Sequence, residues 1–152
     1  MKKIVKFAMC LVALFVAMNA QAQVDQSQLL GIWTQTENQQ GVNVSSTYDF
    51  KADGTVTQIL VMTSLSPRMN VIADGTVNYT LKDDTLTFRF TSSDFNISAF
   101  EIEGLPAEYV DVAKKQMIDQ MANSEQKLTD LKIDGNTLTA KFQGQTITLQ
   151  RQ

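Results

Sequence analysis

The sequence predicts a mainly β protein: an antiparallel meander forming an eight- to nine-stranded barrel, with one amphipathic helix inserted before the last three strands. Three observations carry this expectation. Turn-forming steps recur at Asp53-Gly54, Asp74-Gly75, Asp83-Asp84 and Asp134-Gly135, each leading into an extended run. Asp-Gly supplies the positive φ that tight hairpin turns need. Between these steps apolar residues alternate with polar ones, which gives each strand one face for a core and one for water. A single segment, 107–123, changes to the helical period. Strands with one apolar face, joined by short turns, suit a sheet closed around its own core.

The alternation places strands at about 30–37, 42–50, 55–64, 71–81, 85–91, 94–103, 126–134, 137–143 and 146–151. The first holds Trp33. In the second, Val42, Val44, Tyr48 and Phe50 share a face opposite Asn43, Ser45, Thr47 and Asp49. The third is apolar on both sides, with Val56, Leu60 and Met62 against Ile59 and Val61, which predicts cover on its outer face as well. Leu86, Phe88 and Phe90 alternate with Thr85, Thr87 and Arg89. In the sixth run the apolar parity slips from Phe95, Ile97 and Ala99 to Phe100 and Ile102, and a β-bulge near Ala99 accounts for it.

Gly104-Leu105-Pro106 then introduces the helix. Pro106 suits a first turn, Glu108 favours the positive end of the helix dipole, and Asn123 is a fitting stop. Val110, Ala113, Met117 and Met121 form its apolar stripe, flanked by Tyr109 and Ile118. A one-sided helix must pack, either on the outside of the barrel or across one end. Leu138, Ala140 and Phe142 restore the strand period, and Ile147, Leu149 and Arg151 share a parity in the last run.

The opening of the chain reads differently. Lys2, Lys3 and Lys6 precede an apolar run over 7–18, and Ala20-Gln21-Ala22 follows it. These are the three parts of an export signal, with cleavage before Gln23. The run is too short to span a bilayer, which takes about 20 apolar residues. Cys10 lies near the start of that run, whereas a lipidated cysteine ends it, so no lipid anchor is expected. Residues 1–22 are thus read as a signal peptide and 23–152 as one barrel domain, exported to the periplasm or outside a bacterial cell. The formal charge of the chain is −3, and the signal carries away three lysines and no acids, leaving about −6. An acidic domain without a basic cluster is a poor partner for nucleic acid.

The ordered series Leu30-Gly31-Ile32-Trp33, then 48–56 from Tyr48 through Asp53-Gly54-Thr55-Val56, then Asp83-Asp84-Thr85-Leu86, then Asp134-Gly135-Asn136-Thr137-Leu138 resembles the lipocalin-like small exported proteins of Bacteroidetes. These belong to the calycin group of β-barrels. The resemblance implies that Trp33 closes one end of the barrel and that Arg151 covers its indole. The Thr-Asp-Tyr signature of lipocalins is absent; Thr129-Asp130-Leu131 is the nearest echo. The helix also precedes the last three strands instead of following the eighth.

A barrel of this size either fills with side chains or holds one small ligand. The expected function is binding of a small hydrophobic ligand by Tyr48, Phe50, Met62, Tyr79, Phe88, Phe90 and Phe142, with Met117 and Met121 as a lid. The alternative is a filled barrel serving as an envelope interaction module, through the 65–70 loop or the helix. Catalysis is not expected. The chain has no histidine, and its one cysteine falls in the signal. That removes the commonest general base and metal ligand. Catalysis would rest on carboxylates such as Glu101 and Glu103, which share a strand face at the spacing of a glycosidase-like pair, or Asp83 and Asp84, which read as turn chemistry. No cofactor or metal is expected; the acids are scattered, unlike a calcium loop.

Overall fold

The computed structural model describes residues 23–123 and 125–152. The export signal read over 1–22 lies outside the described residues. A short helix, α1 (Gln26–Leu29), leads into β1 (Gly31–Gln39), β2 (Val42–Phe50), β3 (Thr55–Leu65), β4 (Arg68–Lys82), β5 (Thr85–Arg89) and β6 (Phe95–Ile102). A 3-10 turn (Ala107–Tyr109) and α2 (Val110–Met121) follow, then β7 (Glu125–Asp134), β8 (Thr137–Phe142) and β9 (Gln145–Arg151).

Every strand pairing is antiparallel. β3 pairs with β4 and β1 with β9, so β1, β2, β3, β4, β5, β7, β8 and β9 close into an eight-stranded barrel. β6 is the extra strand. The 15 residues of β4 make this possible. Its 79–82 stretch pairs with β5, and its 69–75 stretch pairs with β6 on the same edge.

Two sequence expectations change here. Asp74-Gly75 is not a turn; both residues lie inside β4, opposite Ile59 and Gln58 of β3. Glycine serves instead as a point of close approach. A Cβ on Gly75 would lie 2.8 Å from the Asp94 carbonyl oxygen and 3.1 Å from the Phe90 ring. The outer face of β3 is also less covered than expected, with Ile59 38% exposed. The bulge falls where the parity slip places it: Ile72 pairs with Ala99 and Ala73 with Ile97, leaving Ser98 as the extra residue. A second bulge lies in β7 between Thr129 and Lys132, where Asp130 adopts a φ of 53°.

The core gathers around Trp33 and extends to Phe88 and Leu128. Leu29, Trp33, Val56, Leu86, Leu138 and Leu149 are almost wholly buried, joined by Phe50, Tyr79, Phe88 and Phe90. Their rings form a continuous series. Phe95 stacks on Phe90 at 4.7 Å, Phe90 meets Phe88 edge-on, Phe88 meets Tyr48, and Phe50 meets Tyr79 at 5.2 Å. Such offset and edge contacts add to the stabilisation from burial alone.

α2 lies against β6, with the Lys114 ammonium 5.9 Å from the Phe100 ring centroid. Its C-terminal end is pinned to β5. The Asn123 N–H donates to the Phe90 carbonyl at 2.8 Å, and Arg89 donates to the Asn123 carbonyl. The helix therefore takes the first of its two expected positions, on the barrel's side.

Candidate functional site

The two ends of the barrel differ. One is plugged. α1 delivers Leu29 beneath the first strand, and the buried Trp33 Nε1–H donates to the Leu29 carbonyl at 2.7 Å. Arg151 sits opposite Trp33 in the β1–β9 ladder, with its guanidinium carbon 4.4 Å from the ring centroid. Its two terminal nitrogens donate to the carbonyls of Leu30 and Gln28. The cation thus covers the indole and ties α1 to the last strand at once. Asp83 and Asp84, both at positive φ in the β4–β5 turn, anchor the segment that precedes α1. They accept from the Gln23 side chain and, at 2.6 Å, from the Val24 N–H.

The opposite end is open. A cavity of about 380 Å³ is lined by Val44, Ser46 and Tyr48 of β2, Phe88 of β5, and Leu128, Phe142 and Ile147 of β7, β8 and β9. That volume sits at the lower end of the range for small-molecule sites. Gln35, Glu37, Gln126 and Gln145 add a polar wall. Aromatic and aliphatic faces therefore form the floor, and amides with one carboxylate form the rim. The Glu37 carboxylate accepts from the Gln35 amide and, at 3.2 Å, from the Gln39 amide. The Tyr48 hydroxyl accepts from the Gln58 amide at 3.3 Å. Burial pushes the Tyr48 phenol up; the Ser46 hydroxyl opposes this and the Glu37 charge adds to it.

The sequence-predicted ligand residues divide between the cavity and the core. Tyr48 and Phe142 line the open cavity, together with Phe88, which is also part of the buried core. Phe50, Tyr79 and Phe90 are buried in the core, where the Tyr79 hydroxyl donates to the Lys51 carbonyl. Met62 is half-buried on the inward parity of β3, paired with Val44, but lies outside the cavity lining. Met117 and Met121 are half-buried on α2, and no α2 residue lines the cavity. Glu101 and Glu103 lie apart from the mouth, in a groove beside Arg68 and Phe100, and Glu103 accepts from the Arg68 N–H.

The polar wall was missed by a search for aromatics. Strand parity would have found it, since Gln35 and Glu37 share the inward parity of Trp33, and Gln145 that of Ile147 and Leu149. Among the described residues, no group of three or more His, Cys, Asp or Glu is placed to hold a metal ion. None of their helices is long and apolar enough to cross a membrane.

A closed eight-stranded antiparallel barrel with one plugged and one open end fits a lipocalin-like fold. Neither protein-family models nor curated protein sequences give a match to the chain.

Proposed function

We propose that this chain is an exported, non-catalytic, lipocalin-like binding protein that holds one small apolar or amphiphilic molecule in the mouth of its barrel. The observation that supports it most is the uneven filling of the interior. Trp33, Leu29 and their neighbours fill the interior at one end, while Tyr48 and Phe142, above the buried Phe88, face an open cavity of about 380 Å³ at the other. Apolar surface held open to water is costly, and a ligand that covers it recovers that cost.

Native mass spectrometry of protein prepared without detergent, followed by titration with small apolar probes, tests this reading. The expected result is saturable binding of one molecule, lost when Ser46→Trp fills the cavity. Binding that Ser46→Trp leaves intact would place the ligand elsewhere. The export reading has its own test. Expressed with its leader in a bacterium, the protein should appear in the periplasm or medium with Gln23 as its first residue. Retention in the cytoplasm with Met1 present would overturn it.

One observation favours the second reading, an envelope interaction module. Leu65, at the tip of the β3–β4 hairpin, is 96% exposed. If that tip is the working surface, Leu65→Ser abolishes partner capture and Ser46→Trp does not.

A further inference from the structure

Resting on the reading of the mouth as a ligand site, we infer that its ligand is a small amine, with the ammonium at Glu37 and the apolar part against Tyr48, Phe88 and Phe142. The charge of the wall decides the head group. Among the described residues lining the cavity, Glu37 is the one charged side chain; the other polar groups are Gln35, Gln39, Ser46, Tyr48 and further glutamines. A carboxylate or phosphate entering this mouth meets a like charge and no cation. An ammonium meets an opposite charge, and the amide oxygens nearby can accept its remaining N–H donors.

The Glu37 carboxylate is held in position, because Gln35 and Gln39, two residues to either side on the same face, both donate to it. Those bonds leave lone pairs free, since an ionised carboxylate offers about four acceptor sites. Burial is the main influence that raises the Tyr48 phenol at the floor, and the Glu37 charge adds to it.

The ladder fixes the size. Trp33 pairs with Tyr48 and Glu37 with Val44, so floor and rim are four residues apart along β1. At roughly 3.3 Å per residue that is about 13 Å. That backbone span limits the ligand to about one aromatic ring and a short methylene chain.

Three matched probes test this at low ionic strength: 4-phenylbutylamine, 4-phenylbutanol and 4-phenylbutyrate, with affinities taken from the amide NMR shifts of the cavity residues. Glu37 is exposed, so the discrimination is modest. The amine should bind about threefold to fivefold more tightly than the alcohol, and the butyrate more weakly than both. In Glu37→Gln the amine-to-alcohol ratio should fall to about one, and in wild type it should shrink as salt is added. Butyrate binding as tightly as the amine, or an amine preference that survives Glu37→Gln, overturns the amine assignment and leaves the ligand site standing. If none of the probes shifts the cavity residues, the ligand site falls and the amine assignment with it.

Discussion

Arg151 ties three parts of the chain together with one side chain: it covers Trp33 and holds the carbonyls of Gln28 and Leu30. Its Nε is buried without a partner, so the guanidinium bonds through its two terminal nitrogens. Losing a cation–π contact and two charge-assisted hydrogen bonds should cost about 2 kcal/mol in Arg151→Ala. Arg151→Lys should recover less than half of this, because one ammonium cannot reproduce the planar fork. Urea unfolding followed by Trp33 fluorescence checks both, with a red-shifted native emission expected for the alanine variant. A lysine variant as stable as wild type would show that charge alone matters. The sequence pointed to the Trp33–Arg151 contact through the lipocalin resemblance, with Arg151 at the inward parity of Ile147 and Leu149. The two carbonyls were not, because α1 is one turn long and leaves no periodic signal.

Among the elements, β4 is where sequence and structure part. Asp74-Gly75 has the residues of a hairpin turn, but local preference lost to packing: Gly75 is needed where the Asp94 carbonyl and Phe90 press onto the strand. Gly75→Ala should destabilise by about 1–3 kcal/mol. Adding Phe90→Leu should not rescue it, since the nearest obstacle at 2.8 Å is backbone. The β6 bulge was readable from its parity slip. The β7 bulge left the same trace, Leu128 giving way to Leu131 and Ile133, and went unread because the polar stretch between them hid it.

The link between β5 and β6 also carries a pH dependence. The Thr91 N–H, at 2.6 Å, and then the Thr91 hydroxyl hold the Asp94 carboxyl below its usual range. A carboxyl whose folded pKa is lowered stabilises the fold above its unfolded pKa of about 3.9, and that contribution fades as the pH falls toward the folded value. Asp53, Asp119 and Asp130 are lowered too, by Thr55, Lys115 and Lys141 respectively. The urea midpoint should therefore decline between about pH 5 and pH 2, and Asp94→Asn should flatten part of that decline. An unchanged slope in the variant would remove Asp94 from the account.

At the scale of the whole molecule, the plugged end of the barrel carries the densest packing and the open end carries the proposed ligand site. Alternation made both ends look alike in sequence, because an inward aromatic reads the same whether it fills a core or lines a cavity. Closure decides the difference: α1 and Arg151 plug one end, whereas nothing in the described chain fills the mouth above Tyr48 and Phe142. Two truncations distinguish the ends. Leu138 is wholly buried, and Leu138→Ala should cost about 2–5 kcal/mol while leaving the affinity for 4-phenylbutanol within about twofold. Phe142 is half-buried at the mouth, and Phe142→Ala should cost only about 1 kcal/mol. It should weaken the same probe about tenfold, because the ligand loses the apolar surface it covers. Urea melts and NMR titrations on the two variants give the comparison. If Phe142→Ala destabilises as much as Leu138→Ala and leaves binding intact, the mouth is an extension of the core and the division of the barrel is wrong.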